Sequence, residues 1–358
     1  MHITNLQKSI MFITDLKSIS PQKTYTNEFL LGEIVEHDKD QYTAEEPNYT
    51  KIIRSSLLRR MGKAVRMGIG AGLPMIKFNN DIDGIIIGTA NGSLENCIQF
   101  LNQIVEYDEG VITPTNFVQS TPNAIAGQLA LMDQNRGYNI TYTNDGHAFE
   151  NAILDALLLF EERSANKLLI GGVEEISDYN YNIDKQCNLY KNEKVSNINL
   201  LNSTTKGTIC GEGSNMFIVE REAKNYLAEI VDVAQLANIK PIDLQESLID
   251  FLNRNGLQKS DIDTLMLGNN GNVDENIWYT YFSDEVLPDT NILTFKQFSG
   301  EYRTSSSFAV WLSAQILSDG IKNISSMMQR SVTNKKIKTI VIYNHFNAVN
   351  HNFVLIQK

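Results

Sequence analysis

Short apolar strands alternate with amphipathic helices along most of the sequence, and this alternation limits the fold to the α/β class. GIIIGTA at 84–90 predicts a buried strand, and the helix that follows begins at Ser93 with Glu95 in its first turn. NITYT at 139–143 and KLLIGGVEEIS at 167–177 predict two further strands, each next to a helical segment. We therefore expect a sheet flanked by helices.

The same alternation of strands and helices continues after residue 223. YLAEIVDVAQLA predicts a strand, PIDLQESLIDFLNRNGL predicts a helix closed by Gly256, and DIDTLMLGNNGN predicts a strand that leads into a loop. A helix over SSSFAVWLSAQILSDG and a final pair of strands at 338–358 complete the pattern. We therefore predict two related α/β halves that share a core, at 1–223 and 224–358.

The composition is that of an ordinary globular protein. The 358 residues are 42% hydrophobic and 20% charged, so the chain can bury a large core. The formal net charge of −11 disfavours nucleic acid as a partner. No apolar run is long enough to span a bilayer, and the first twenty residues do not have the pattern of a secretory signal. Three widely spaced cysteines, Cys97, Cys187 and Cys210, indicate no metal motif or disulfide framework, which favours a cytoplasmic location.

One segment departs from the acidic balance of the chain. It contains no acidic residue from 47 to 80, and apolar residues at helical spacing from 58 to 69 predict an amphipathic helix. A basic helix face of this kind is usually only solvated, and the alternative is a docking surface for an acidic partner. The residues of this candidate docking surface are Arg59, Arg60, Lys63 and Arg66.

Residues 140–162, ITYTNDGHAFENAILDALLLFEE, contain the local pattern that says most about function. A β-rich run ends at Thr143, a short polar turn covers 144–146, and an amphipathic helix begins near His147. Several enzyme families present a nucleophile on such a strand, tight turn and helix. No serine or cysteine lies at this turn, so it is either a site with unusual chemistry or one that has lost its chemistry.

Four other stretches follow one another in a recognisable order. They are GGVEEIS at 171–177, GEGSNMFIVE at 211–220, DIDTLMLGNNGN at 261–272 and FKQFSGE at 295–301. Together they resemble the β-ketoacyl synthases, the condensing enzymes of fatty acid and polyketide synthesis, over nearly the whole chain. Lys296 and Gly300 match the lysine and glycine of the family's Lys-Ser-x-x-Gly-His motif. The resemblance implies the thiolase-like fold, with two related α/β halves in a layered αβαβα arrangement.

The resemblance also implies three catalytic positions, a cysteine at the strand-to-helix turn and two histidines. In the family the helix dipole acidifies the thiol, which takes the acyl chain as a thioester. The histidines help to decarboxylate the malonyl extender and stabilise the enolate. In this sequence the cysteine position falls on Asp145 or Gly146, the first histidine on Gly268 and the second on Glu301. All three positions therefore depart from the family pattern.

Residues at the turn have both structural and catalytic interpretations. A carboxylate would form a labile mixed anhydride and no thioester, so we expect Asp145 to cap the helix. His147 lies in the first helical turn, where the dipole disfavours protonation, and it is a candidate neutral base. His345 falls where the family has a segment near the active site, and we expect a structural role for it, with acid–base chemistry as the alternative.

The three departures together indicate a non-catalytic subunit. STPNAIAGQLAL at 120–131 and GTANGSLEN at 88–96 resemble a cysteine-lacking subgroup similar to the chain-length factors of aryl polyene or flexirubin-type polyketide pathways. This resemblance implies a pseudoenzyme that forms a dimer with a catalytic ketosynthase or with itself. It also implies no cofactor or metal, because the acyl groups arrive on the phosphopantetheine of an acyl carrier protein. The basic surface would dock that carrier protein.

Two other functions stay open at this point. The first is a stand-alone enzyme that decarboxylates or hydrolyses an acyl thioester through a rebuilt acid–base site of Asp145, His147, His345 or Glu301. The second is a homodimeric scaffold that binds acyl chains without a synthase partner. We favour the non-catalytic subunit, because lost catalysis explains all three departures at once.

Overall fold

The computed structural model describes residues 10–110, 112, 114–322, 324–333 and 335–358. Its strands are β1 (Met11–Ile19), β2 (Gln41–Tyr42), β3 (Gly84–Gly88), β4 (Tyr138–Tyr142), β5 (Lys167–Glu174), β6 (Cys210–Gly211), β7 (Gly213–Glu220), β8 (Ala228–Ala237), β9 (Thr264–Leu267), β10 (Asn291–Thr294), β11 (Met328–Arg330), β12 (Thr339–Phe346) and β13 (Asn350–Gln357). Its α-helices are α1 (Ser55–Leu58), α2 (Lys63–Phe78), α3 (Leu94–Glu106), α4 (Pro114–Gln119), α5 (Ala124–Asp133), α6 (Ala148–Glu161), α7 (Asp178–Gln186), α8 (Asp243–Asn253), α9 (Asn276–Thr280), α10 (Lys296–Ser299) and α11 (Ser306–Leu317).

Within these residues, eleven strands form one mixed sheet in the order β11-β10-β9-β12-β13-β8-β1-β7-β5-β3-β4. Strands β4, β3 and β5 pair in parallel, as do β10, β9 and β12, and β7 and β13 run antiparallel to their neighbours. If the five main strands of each half are numbered along the chain, both halves have the spatial order 1-5-4-2-3. This repeated topology confirms the predicted pair of related α/β halves.

The two halves meet at a short antiparallel pairing between β1 and β8. Residues 11–13 of β1 pair with 228–230 of β8, so the sheet continues from one half into the other. The chain leaves β7 at Glu220 and enters β8 at Ala228, and the change of half therefore falls in the connection 221–227. The predicted domain boundary at 223/224 lies within this connection. It stays a prediction.

Two helices, α6 and α11, lie between the halves. Helix α11 is buried along nearly its whole length and packs against β1 and β7 of the first half and against β12 and β13 of the second. Helix α6 packs against β3 and β5 and also against β8. A helix that is apolar all round must be covered on every side, which explains the position of α11. The shared core includes Phe149, Phe217, Trp311, Ile342 and Val354. The two helices form the inner helical layer of the predicted layered arrangement.

The predicted amphipathic helix over the basic segment is interrupted, so the prediction of one helix is wrong. Helix α1 ends at Leu58 and α2 begins at Lys63. Gly62 has an extended backbone, with ψ of 167°, and precedes α2 as its N-cap. A Cβ at Gly62 would clash with Asn96 Oδ1, so the close approach of α3 requires glycine here. The extended backbone of Gly62 therefore separates α1 from α2.

The structure describes the environment of all three cysteines, and it also tests for a membrane-spanning helix. All three cysteines are free thiols, with Cys187 exposed and Cys210 buried. Burial raises the pKa of the Cys210 thiol to about 12, so this residue is a packed side chain and a poor nucleophile. In the described ranges, no helix has both the length and the apolar character needed to cross a bilayer. The cytoplasmic location stays a prediction.

Candidate functional site

The turn that follows β4 has the strand-turn-helix geometry that the sequence predicts. Strand β4 ends at Tyr142, a single 3-10 turn covers Asp145–His147, and α6 begins at Ala148. Asp145 has a φ of +48°, in the left-handed region that aspartate tolerates better than most residues do. This conformation turns the chain sharply from the strand into the helix. We call residues 143–147 the elbow.

Asp145 does not cap the helix, so the predicted N-cap role is wrong. No side-chain hydrogen bond closes the N-terminus of the 3-10 turn or of α6. Instead, Arg303 Nε donates to Asp145 Oδ1 at 2.8 Å, and the same guanidinium donates to both carboxylate oxygens of Asp184, at 2.9 and 3.0 Å. Charge-assisted hydrogen bonds of this kind are stronger than neutral ones. Arg303 therefore ties the elbow to α7.

Gly146 lies against the hairpin of β12 and β13. A Cβ at this position would lie 2.7 Å from Phe346 Cβ and 3.0 Å from Asn350 Cβ. Position 146 therefore has no room for a side chain. The side chain of Asp145 is 53% exposed. Of the two positions that the sequence offers for the family's cysteine, position 145 is the one that can present a side chain.

Gly268, at the position of the family's first histidine, directly follows β9. A Cβ at Gly268 would clash with Asn344 Oδ1 and would lie 3.2 Å from Lys296 Cε. Asn344 is a buried residue of β12, and Lys296 begins α10. These two side chains therefore occupy the space into which a side chain at position 268 would extend.

Glu301, at the position of the second histidine, forms a buried ion pair with Lys296. Lys296 Nζ lies 2.8 Å from Glu301 Oε2 and also donates to the carbonyl oxygen of His345 at 3.1 Å. Asn270 Nδ2 donates to the same Glu301 oxygen at 2.9 Å. Burial raises the pKa of the Glu301 carboxyl, and the nearby Lys296 ammonium opposes this rise. The carboxylate is therefore held by internal partners.

The backbone at Glu301 is fixed by a close crossing of two glycine-bearing segments. Gly300 has a φ of +70°, and a Cβ there would lie 2.6 Å from the Cα atom of Gly211. Glu301 N donates to the carbonyl oxygen of Ile209 at 2.8 Å, and Gly211 N donates to the carbonyl oxygen of Glu301 at 2.9 Å. The GEGSNMFIVE and FKQFSGE stretches, far apart in sequence, are therefore in direct contact.

Three of the five histidines, His147 of the elbow together with His345 and His351, are buried close to one another. His147 Nε2 lies 3.1 Å from the carbonyl oxygen of His351, and the rings of His345 and His351 are 5.3 Å apart. Burial lowers the pKa of all three imidazoles, to about 4 for His351. His351 was not selected from the sequence, where only its place in a buried strand next to His345 marks it. The described residues contain no cluster of three or more His, Cys, Asp and Glu side chains that could hold a metal ion.

The acid–base interpretation gains no support from this geometry. His345 is 0% exposed and Glu301 is 1% exposed, so neither side chain reaches a substrate in this conformation. His147 Nε2 is engaged by a backbone carbonyl, and Asp145 is held by Arg303. A general base must lie within hydrogen-bond reach of the proton that it abstracts. These candidates are instead used in internal contacts.

The residues of the basic surface line one cavity of 670 Å³. Lys63 Nζ forms an ion pair with Glu212 Oε1, and Arg66 donates two hydrogen bonds to Glu46, both at 2.8 Å. Arg59 and Arg60 are exposed, and within the described part of the chain neither forms an ion pair. Only half of the basic surface therefore has charge available for a partner. The four residues are Arg59, Arg60, Lys63 and Arg66.

The elbow and the basic surface both fall in the part of the chain that matches a known family. Residues 35–205 match the family model described as Beta-ketoacyl synthase, N-terminal domain. Over this part the chain is similar to the β-ketoacyl synthases. No curated protein is a match to the sequence of this synthase-like chain.

Solved structures resemble the synthase-like chain over nearly its whole length. The ishigamide ketosynthase/chain length factor has a TM-score of 0.77 at 13% identity, with 98% of this chain and 99% of that chain covered. A ketosynthase in complex with its chain length factor from Xenorhabdus doucetiae has a TM-score of 0.74 at 12% identity, with 100% of both chains covered. A type II polyketide synthase acyl-carrier protein in complex with its ketosynthase gives 0.68 at 17% identity, with 98% and 99% covered. These likenesses establish the ketosynthase fold.

Proposed function

We propose that the synthase-like chain is a non-catalytic subunit of the chain-length-factor type. It would pair with an active ketosynthase in polyketide, aryl polyene or related fatty-acid-like synthesis. The observation that carries this proposal is the ion pair between Lys296 and Glu301. Condensation requires donors directed at the enolate oxygen as its charge develops. Here a buried carboxylate takes the place of the donor, and Lys296 is already bonded to two internal oxygens.

The elbow supports the same proposal. Acyl transfer needs a thiolate, whose formation is favoured at a helix N-terminus. Position 145 carries a carboxylate that is held by Arg303, and position 146 has no room for a side chain. A chain with this elbow would take up no acyl group. Its contribution would be to complete or limit the cavity of the partner in which the acyl chain grows.

Strand β4 offers the surface on which the partner would sit. It lies at the end of the sheet order and pairs with β3 along one side, so its other side presents backbone N–H and C=O groups. Large apolar side chains are exposed beside this edge, as is typical of a protein interface. They are Leu131, Tyr138, Leu154 and Leu158, which are 40% to 72% exposed.

The identity of the partner follows from the chemistry that this chain has lost. A pair of two copies would contain no nucleophile at either elbow, whereas a pair with a catalytic ketosynthase would contain one. The similar structure from Xenorhabdus doucetiae is a ketosynthase in complex with its chain length factor, which supports the heterodimer. We therefore propose a different chain as the partner and treat a homodimer as the alternative outcome.

An acyl carrier protein would dock through the available charge of the basic surface. Arg59 and Arg60 are exposed and would attract an acidic carrier by charge complementarity. One similar structure contains an acyl-carrier protein in complex with its ketosynthase, which supports this partner class. The carrier would deliver acyl groups on its own phosphopantetheine, so we propose no cofactor for the chain. We also propose that the assembly works in the cytoplasm.

The proposal is tested by co-expression of the tagged chain with candidate ketosynthases. Both subunits are then exposed to malonyl-loaded carrier protein and analysed by intact mass. We expect the ketosynthase to co-purify and to carry the acyl adduct, while the chain stays unmodified. A stable acyl adduct on the chain in the absence of a partner would overturn the proposal.

The interface is tested with Leu154→Glu/Leu158→Glu, which places two charges beside the edge of β4. We expect the double variant to lose the co-purifying partner, because a buried unpaired charge is costly. The matched control is Ile242→Glu, which changes an apolar side chain that is 67% exposed at the start of α8. If the partner co-purifies with Leu154→Glu/Leu158→Glu and is lost with Ile242→Glu, the interface lies on the second half.

A further inference from the structure

A carboxylate lies at the middle of the β4 edge, among the apolar side chains of the proposed interface. Asp155 of α6 interacts with the hydroxyl groups of both Tyr138 and Tyr142. These tyrosines are the two end residues of β4, so their side chains project from the same face, about 13 Å apart. A group near both hydroxyls is therefore level with the centre of the strand. Exposed Leu154 and Leu158 lie beside it on α6.

The charge of Asp155 is not balanced inside the isolated chain. The residue is half-buried, and within the described ranges no arginine or lysine forms an ion pair with it. Burial raises the pKa of its carboxyl, the hydroxyls of Tyr138 and Tyr142 oppose this rise, and the carboxylate of Glu162 adds to it. A carboxylate with a raised folded pKa costs stability at neutral pH. The chain therefore keeps an unfavourable charge at the centre of an otherwise apolar surface.

Two copies of this chain would bring two such charges together. A two-fold pairing places the same surface of each copy against the other. If β4 pairs antiparallel with β4 of a second copy, the two-fold axis passes between the strands and is perpendicular to the sheet, so both copies of α6 lie on the same face. Asp155, which is level with the strand centre, would then face its own copy near the axis. Like charges in this position oppose a homodimer.

We infer that Asp155 selects the partner subunit by charge. The surface of β4 and α6 takes a ketosynthase that presents an arginine or lysine side chain within about 6 Å of this carboxylate, and it rejects a second copy of the chain. A charge that an interface covers needs a cation on the other side, because water no longer solvates it. The inference rests on the proposed function for the location of the interface, and it adds the residue that separates a heterodimer from a homodimer.

The first test measures the affinity of the whole chain for the ketosynthase that co-purifies with it. Asp155→Asn keeps the size of the side chain and removes its charge, and we expect it to weaken the pair about tenfold or more. Urea denaturation should show this variant to be at least as stable as the wild type, so a weaker pair is not a folding defect. The control Glu246→Gln removes the same charge from an exposed position of α8 and should leave the affinity unchanged. Asp155→Lys should lose the pair, and replacing the cationic residue of the ketosynthase by glutamate should restore it.

The second test needs no partner, because sedimentation of the chain alone measures its self-association. We expect the wild type to self-associate about tenfold more weakly than Asp155→Asn, and we expect high salt to reduce this difference by screening the repulsion. Equal self-association of the two proteins would overturn the inference, as would a ketosynthase that binds both with the same affinity. If no candidate ketosynthase binds the wild type, the proposed function fails, and the sedimentation comparison still decides whether the charge of Asp155 opposes a homodimer.

Discussion

Lys296 Nζ and Glu301 Oε2 lie 2.8 Å apart in the protein interior, with both side chains at most 1% exposed. Removing one member of a buried pair leaves the other charge unpaired, whereas replacing both by apolar groups does not. We predict that Glu301→Leu and Lys296→Met each lower the free energy of unfolding by about 3–5 kcal/mol. The double variant should recover most of this loss. Urea denaturation of the wild type, the two single variants and the double variant measures these free energies of unfolding.

The control for this prediction is a pair at the surface. Lys336 Nζ lies 2.7 Å from Asp319 Oδ2, but these side chains are 62% and 71% exposed. Solvent screens such pairs, and Lys336→Ala should change the free energy of unfolding by less than about 1 kcal/mol. A double variant whose loss equals the sum of the two single losses would show that the buried charges do not depend on each other.

A second prediction concerns the filled space at the first histidine position. Gly268→Ala should destabilise the protein, because the new Cβ clashes with Asn344 Oδ1. Asn344→Ala removes that contact, so the double variant should be more stable than the sum of the single losses by about 1–2 kcal/mol. Double-mutant analysis of unfolding free energies measures this coupling.

The control for the Gly268 variant is Gly256→Ala. Gly256 has a φ of +69° with no atom within 4 Å of its Cβ position, so its replacement costs only backbone strain. This cost should be the same with and without Asn344→Ala. If the cost of Gly268→Ala is also the same with and without Asn344→Ala, Asn344 does not fill the space beside Gly268.

Much of the fold could be predicted because it depends on local periodicity. The buried strands and the repeated halves follow from apolar runs and helical spacing. Strand β1 was not predicted, although it joins the halves, because a β-bulge between Ile13 and Asp15 breaks the alternation. The break before α2 was also missed, because Gly62 is required by Asn96, a residue of another helix.

The candidate site could be predicted only in part, for a related reason. Motif order places Asp145, Gly268 and Glu301, since those positions follow from local segments. The partners of these residues come from distant parts of the chain. Arg303, which holds Asp145, is 158 positions away, and no sequence pattern joins the two. The filling of the site is therefore a tertiary property.

A third prediction concerns Glu150, which lies in the first turn of α6 and is fully buried. Burial raises the pKa of its carboxyl from 4.5 to about 7. The stability from an acid with a raised folded pKa is present below the unfolded pKa and is lost as the pH rises through the folded one. We therefore expect Glu150 to contribute a loss of about 3 kcal/mol as the pH rises from about 4 to about 7.5.

Glu150→Gln tests this contribution, because the amide imitates the protonated carboxyl. Urea denaturation across this pH range should show a smaller loss of stability in the variant than in the wild type. Some loss should persist, since burial also raises the pKa of Glu174 and Glu175 to about 7. The control is Glu161→Gln, an exposed position on the same helix. A pH dependence that is identical in Glu150→Gln and wild type would contradict the prediction.

The last prediction has the opposite sign and concerns the histidines beside the elbow. Burial lowers the pKa of His351 from 6.5 to about 4, and it lowers the pKa values of His147 and His345 as well. A base with a lowered folded pKa stabilises the fold above its unfolded pKa, and this stability is lost as the pH falls from 6.5 towards the folded value.

We therefore expect the titration of His351 to subtract stability on acidification from pH 6.5 to about pH 4.5, so the stability of His351→Gln should change more favourably over this range than that of its parent. The variant should start from a lower stability at neutral pH, because the ring centroids of His351 and Trp278 lie 4.4 Å apart and His351 Nδ1 lies 3.1 Å from the hydroxyl of Tyr343. Urea midpoints at several pH values separate these two effects, since the packing loss is the same at every pH and the titration loss is not. The comparison is best made in a Glu150→Gln background, because Glu150 gains stability over the same acid range and would hide the loss. An equal acid-induced change in the free energy of unfolding in that background, with and without His351→Gln, would show that His351 is not buried as a neutral imidazole.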